Sequence, residues 1–324
     1  MAAAIYRTAL IAMLICIGQT VVAAHFHVYL IGGQSNAQGR GDASRLPARL
    51  AEPQKDVRFY WHRTQDTDNV GHLKEDLWID LAPGSGHGRI PPVREIEFGP
   101  EISFGRSLAD HYSDVSIAVI KYSHGGSNLH SDWAEDGVRY RIFVATVRAA
   151  LAALEAEGHQ WELRGMIWQQ GEGDTGSPHA ENYAKHLGDL ISRVRRDLFE
   201  GAARPFVIGG LSVKQSQSVK TPGSGMFLVR KAQETVAQAD PTVGFVNTDD
   251  FSTREGDRVH FDHRGLISLG EAHAAEMIRL EDSVAKTATV PCTVPKCTGC
   301  TFEKSDNLRP LPSLIDINKL SSSI

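Results

Sequence analysis

Three residues far apart in this chain have the types that serine-dependent acyl transfer requires. Ser35 stands between Gln34 and Asn36 in LIGGQSNAQGR (30–40), at the end of an apolar run. Asp257 precedes His260 by three positions in EGDRVHFDHRG (255–265). A serine hydroxyl is a weak nucleophile until a base takes its proton during attack. An imidazole does this near neutral pH, and a carboxylate beside it holds the tautomer and stabilises the imidazolium. One loop can present Asp257 and His260 side by side, which gives the order Ser…Asp…His. A tetrahedral oxyanion also needs fixed donors. The Ser35 and Gly126 backbone N–H groups and the Gln170 side-chain amide are the candidates. Singly, such a serine is a turn residue, Gly125-Gly126 a tight turn, and His260 a capping or surface residue. Their joint placement is what points to chemistry.

The elements between these residues must bring them together. HFHVYLIGG (25–33) alternates and ends in glycine, as a strand entering a turn does. VSIAVIKYSHGG (115–126) is a continuous apolar run, suited to a strand buried on both faces. LRGMIWQQGEGD (163–174), RPFVIGGLS (204–212) and TVGFVNTDD (242–250) repeat that form. Helical patterns fill 140–158, 180–201, 226–240 and 263–281. Strands alternating with helices predict an α/β fold, a parallel central sheet with helices on both faces. In such a sheet ligands bind beyond the carboxyl ends of the strands, where Ser35, Gly125-Gly126 and Gln170 to Asp174 would gather. Residues 40–98, rich in Gly, Pro, His and Arg, read as a long insertion, and 284–324 as a tail. No internal repeat is present.

Composition narrows the function classes. Charged residues make up 23% of the 324 positions, hydrophobic residues 41%, and net charge is -5. With no basic block or basic–aromatic stripe, nucleic acid is not an expected partner. Residues 1–24 read as a cleavable signal peptide, with Arg7, apolar Ala9 to Ile17, and Val22-Ala23-Ala24 before the cut. Gly18-Gln19-Thr20 interrupts the run short of a membrane span, so a secreted or periplasmic protein is expected. Cys292, Cys297 and Cys300 lie together in the tail, where one short-range disulfide with a leftover thiol fits better than zinc. His25 and His27 share a strand face, but two imidazoles fall short of a usual ligand set, and no metal is expected. Nothing in the sequence sets an oligomeric state.

Glu172 and Asp174 have glycosidase types, but the expected role is support. Glu172 would position Gln170 or backbone amides, and Asp174 would cap the following helix. His62, His72 and His87 are read as loop residues, while Trp61 and Trp78 could line a sugar-binding rim. Trp168 is expected in the core. GQSNA is not the nucleophile elbow G-x-S-x-G, because Ala37 replaces the second glycine.

In order along the chain, these loops resemble the blocks of the SGNH hydrolase superfamily. Within it they resemble the sialate O-acetylesterase-like branch that includes acetylxylan esterases of carbohydrate esterase family six. Gly33-Gln34-Ser35-Asn36 matches the opening block, GPEISFG (99–105) a segment leading into a helix, and KYSHGGSNL (121–129) the second block. WQQGEGD (168–174) matches the Trp-x-Gln-Gly-Glu-x-Asp segment, with Gln170 where the superfamily has asparagine, and DRVHFDHRGLISLG (257–270) matches the final block. His124 before the glycine pair and Gly173 depart from the pattern. The likeness spans about residues 26 to 275. It implies a three-layer, flavodoxin-like fold over 25–283 and a cofactor-free serine esterase acting on an acetylated carbohydrate. Ser35, Asp257 and His260 would be catalytic, Ser35, Gly126 and Gln170 would form the oxyanion hole, and Gln34, Asn36, Gly125, Glu172 and Asp174 would support them. The alternatives are an SGNH lipase or arylesterase of broader specificity, and a non-catalytic carbohydrate-binding protein.

Overall fold

The computed structural model describes residues 23–62, 73–86 and 96–288. Most of the expected signal peptide, His72, His87 and the three tail cysteines lie outside the described residues. Strand β1 (His25–Gly33) is the centre of the molecule. Its alternation sends Phe26, Val28 and Leu30 into one apolar layer and Tyr29 and Ile31 into the other. A strand buried on both faces needs helices on both, and the chain supplies them.

After β1 come a one-turn helix α1 (Ser35–Gln38), short β2 (Gly41–Asp42) and one-turn α2 (Ala48–Ala51). Next are β3 (Gln54–Trp61), β4 (Ile79–Leu81), β5 (Glu97–Phe98) and α3 (Glu101–His111). The regular α/β alternation follows: β6 (Ser116–Lys121), α4 (Val138–Ala156), β7 (Gln160–Gln169) and α5 (His179–Asp197). It continues with β8 (Phe206–Gly209), α6 (Gly225–Ala239) and β9 (Val243–Val246). A hairpin, β10 (Thr253–Arg254) and β11 (Asp257–Phe261), leads into α7 (His263–Ala288), which runs past the expected start of the tail.

The helices form where apolar residues recur at helical spacing. In α4 the buried Tyr140, Phe143, Val147, Ala150, Leu151 and Leu154 line one stripe. Gly158, at φ +80°, ends that helix where a side chain would be strained. Ser224 caps α6 by accepting the Phe227 amide at 3.1 Å. Helices α4, α5 and α6 cover the Phe26 face of the sheet, and α3 and α7 cover the Tyr29 face.

The main sheet has seven strands in the order β4-β3-β6-β1-β7-β8-β9. Strands β6, β1, β7, β8 and β9 are parallel neighbours, and in chain order this is the 2-1-3-4-5 arrangement of flavodoxin-like folds. The segment 40–98, read as a long insertion, contributes two strands to this sheet. Within it, β3 pairs parallel with β6 from Val57↔Ile117 to Trp61↔Lys121, and β4 closes that edge antiparallel. Lys55, Asp56 and Arg58 gave the segment a polar look. Near the sheet margin those side chains reach solvent or partners such as Glu157, while Val57, Phe59, Tyr60 and Trp61 are buried. Trp61 and Trp78 are therefore core residues and line no sugar rim. Their indole N–H groups donate to the Lys74 and Ala150 carbonyls at 3.0 and 2.8 Å. Trp168 is buried as expected, edge-on to Trp133. Among the described residues no helix is long and apolar enough to cross a membrane.

Candidate active site

Strand β1 turns sharply into α1 at Gly33. A Cβ there would fall 2.2 Å from the Gln169 carbonyl, and φ is +140°, so only glycine fits. The turn places Ser35 first in α1, beyond the carboxyl end of the central strand. Its N–H heads a helix and has no intrahelical acceptor. Ser35 is 4% exposed, and its Oγ lies 2.9 Å from His260 Nε2. His260 Nδ1 in turn lies 2.6 Å from Asp257 Oδ2. The structure thus brings together the serine, imidazole and carboxylate that the sequence separates by more than two hundred positions.

The β10–β11 hairpin supplies the acid and the imidazole, turning through Gly256 at φ +76°. Partial burial pushes the Asp257 carboxyl up. Hydrogen bonding and charge from His260, with the Val259 amide, outweigh it and hold the group below the usual carboxylate range. A polar clamp grips the hairpin on both sides of His260. Asn36 Oδ1 accepts the Phe261 amide at 3.0 Å, and Asn36 Nδ2 donates to the Val259 carbonyl at 3.1 Å. Gln215 Nε2 donates to that carbonyl at 2.8 Å. Glu172 Oε1 receives Asn36 Nδ2 and Gln215 Nε2, each at 2.7 Å. Glu172 is thus a brace, but for Asn36 and Gln215 and not for Gln170. Gln215 is absent from the sequence reading: it sits in an irregular loop after β8 and belongs to no quoted block.

Gln170 and Asp174 differ from expectation. Gln170 is fully buried, and its amide donates to the Ser127 carbonyl at 3.2 Å and to Asp174 Oδ2 at 2.6 Å. Its Oε1 accepts the Tyr183 hydroxyl at 2.9 Å. With both hydrogens engaged inside the protein, Gln170 is not the oxyanion donor the sequence suggested. Asp174 does not cap α5. Its carboxylate gathers the Leu129 amide, the His130 amide and imidazole, and Gln170, which ties the loop after β6 to the loop after β7. At 0% exposure it cannot serve as a glycosidase acid.

Gly125, half-buried, and Gly126, exposed at φ +73°, form the tip of the loop after β6. Among the described residues the Ser35 and Gly126 N–H groups donate to no protein acceptor. Gln34 is tied to the loop after β7, accepting the Gly171 and Gly173 amides on Oε1 at 3.4 and 3.1 Å. Beneath α1, Lys121 at the end of β6 is buried with Glu101 at 2.7 Å, and its ammonium donates to the Gln38 carbonyl at 2.7 Å. Burial pushes the lysine down, opposed by Glu101. This pair fixes the far end of the one-turn helix that presents Ser35. At the opposite end of the sheet, ligand atoms of His25, His27 and Glu162 lie within 4.8 Å of one another. The Glu162 oxygens there already receive Arg164 at 3.1 Å and Arg204 at 2.6 Å.

A family model described as carbohydrate esterase, sialic acid-specific acetylesterase, matches residues 25–279. A probable 9-O-acetyl-N-acetylneuraminic acid deacetylase of Escherichia coli (strain K12) is 24% identical over 204 residues, covering 54% of this chain. The aligned part spans 61% of that curated relative, about three fifths of its length. Among solved structures, NanS superposes with a TM-score of 0.61 at 15% identity, covering 81% of this chain and all (100%) of NanS. A protein from Arabidopsis thaliana gives 0.60 at 18% identity, covering 78% of this chain and 98% of the other. A carbohydrate acetylesterase from Xanthomonas citri gives 0.57 at 18% identity, covering 79% and 57%. At these identities the superpositions speak for the fold.

Proposed function

Because the chain belongs to the carbohydrate esterase family of sialic acid-specific acetylesterases, we propose that it is a serine esterase removing O-acetyl groups from carbohydrates. The observation that carries this reading is the line of contacts from Ser35 Oγ through His260 to Asp257, 2.9 and 2.6 Å long. Ser35 Oγ attacks the acetyl carbonyl carbon while His260 Nε2 takes its proton. The Ser35 and Gly126 N–H groups receive the oxyanion. Collapse of the tetrahedral intermediate breaks the ester bond, and His260 returns the proton to the departing sugar oxygen. Water, deprotonated by the same imidazole, then attacks acetyl-Ser35; the bond to Oγ breaks, His260 returns the proton to Oγ, and acetate leaves. Asp257 keeps Nδ1 protonated and faces the imidazolium in both halves.

Turnover of a chromogenic acetyl ester tests the reading, with Ser35→Ala as the control. Loss of turnover in the variant supports an esterase, whereas sugar binding without turnover in the wild type would leave a binding module. Acetate release from acetylated xylan and from O-acetylated sialic acids, measured side by side, assigns the substrate class. Export is part of the proposal and rests on the charged, apolar and small-residue segments of 1–24. Amino-terminal sequencing of the protein from culture fractions tests it, and a retained Met1 would refute it.

A further inference from the structure

We propose that Gln34, the residue before the nucleophile, supplies the side-chain donor that Gln170 cannot, and that it hydrogen-bonds the acyl oxygen of the substrate as that oxygen becomes anionic. The inference rests on the esterase reading above. An amide has an accepting and a donating end, and which is which follows from its partners. At Gln34 the Gly171 and Gly173 N–H groups both point to one end, so that end is the oxygen. The NH₂ end therefore faces away from the β7 loop. The residue is only 3% exposed, yet this nitrogen has no protein acceptor among the described residues and is not sealed from solvent. A donor held by its own oxygen, with no protein acceptor and not sealed from solvent, is what an oxyanion hole needs.

Its position fits the same role. The Gln34 backbone N–H donates to the Gln169 carbonyl at 3.0 Å, so the residue is pinned at its main chain as well as at Oε1. A Cβ on Gly173 would lie 3.4 Å from Gln34 Oε1 and 2.4 Å from the Ser127 carbonyl. The amide thus lies where the loop carrying Gly126 meets the loop carrying Gly173, next in sequence to Ser35. Gln170 offers no such donor unless it abandons Asp174, a carboxylate with no exposure. Leaving a buried charged acceptor short of a donor is strongly unfavourable.

Gln34→Glu separates a donor from a mere anchor. A carboxylate still accepts the Gly171 and Gly173 amides, so the loop stays tied, but the free end becomes an acceptor facing a developing negative charge. The expected result is a variant that still folds but melts at a lower temperature, because one carboxylate oxygen lacks a donor, with little change in KM and a kcat for a chromogenic acetyl ester lower by roughly 10²–10³-fold. A folded variant with kcat within about threefold of wild type would overturn the inference. Should the variant fail to fold, the crystal structure of the wild-type enzyme phosphonylated on Ser35 decides. Gln34 Nε2 within about 3 Å of the phosphoryl oxygen supports the role, and a separation beyond hydrogen-bond reach refutes it. A wild-type protein that neither turns over the ester nor takes the phosphonate on Ser35 would instead refute the esterase reading itself.

Discussion

Replacing Gln215 by leucine tests whether the clamp on the hairpin sets the histidine's position. The side chains are similar in size, so the change removes hydrogen bonds with little change in volume. Two donations are lost, to Glu172 Oε1 at 2.7 Å and to the Val259 carbonyl at 2.8 Å. The buried Ser212 amide also loses its acceptor, Gln215 Oε1, at 2.8 Å. A hydrogen bond to a charged group contributes about 1.5–3 kcal/mol, a neutral one about 0.5–1.5, and an orphaned buried amide costs about 1–3. These overlap, because Asn36 still holds both Glu172 and Val259 O. A net destabilisation of about 3 kcal/mol is expected in urea unfolding. The effect on turnover is of another kind. Val259 precedes His260, so slackening it loosens the 2.9 Å contact with Ser35. Misplacing a catalytic group by even 1 Å can cost about 10²-fold. A 10–100-fold fall in kcat with little change in KM is therefore expected for the folded variant on a chromogenic acetyl ester. A kcat within about twofold of wild type, at temperatures where the variant is folded, would refute the idea that the clamp aims the imidazole.

Other outcomes follow from the same structure. Asp257→Asn should keep the fold but lower kcat by about 10⁴-fold, because the amide favours the wrong imidazole tautomer; circular dichroism with single-substrate kinetics checks both halves. The folded Asp257 pKa lies below its ordinary value. Its stabilising contribution is therefore present above the unfolded pKa of about 3.9 and is lost as pH falls through the folded value. Melting temperatures of wild type and Asp257→Asn should accordingly converge on acidification; a gap that widens instead would contradict this sign. The carboxylate is 40% exposed, so the effect should be small and weakened by salt. Lys121→Met leaves Glu101 buried without its cation and should cost about 3–5 kcal/mol in denaturant unfolding, whereas an unchanged midpoint would show that the Ser85 and Gly99 donors suffice. Phe143→Ala, deep in the α4 layer, should cost about 3–5 kcal/mol and leave the activity of the folded fraction near normal.

Much of this architecture was legible in the residue pattern because it rests on local rules. Apolar runs ending in glycine marked β1, β6 and β7, and helical spacing marked α4 to α7. The three-residue step from Asp257 to His260 marked the acid–imidazole pair; the two side chains meet because β11 is irregular, Arg254 pairing with Asp257 while Thr253 pairs with Phe261. What escaped depends on tertiary surroundings. Strand β3 was hidden by Lys55, Asp56 and Arg58, which sit at a sheet margin where charged side chains find solvent or partners. The tryptophans were misread for the same reason: Trp61 belongs to that hidden strand and Trp78 packs beside it. Gln170 has the right type in the right segment, yet the direction of an amide is set by its partners, here Asp174, Ser127 and Tyr183. Gln215 carries no motif at all. Its role exists only because the loop after β8 folds against Glu172 and Val259.

The central claim is that Ser35 and His260 act on one acyl carbon, and rapid-quench mass spectrometry during turnover of an acetyl ester tests it most directly. The account predicts one transient acetyl group, localised by peptide mapping to Ser35, that disappears as acetate is released and does not form at a catalytically relevant rate in His260→Ala. An acetyl group on another residue, or full turnover surviving Ser35→Ala, would contradict it.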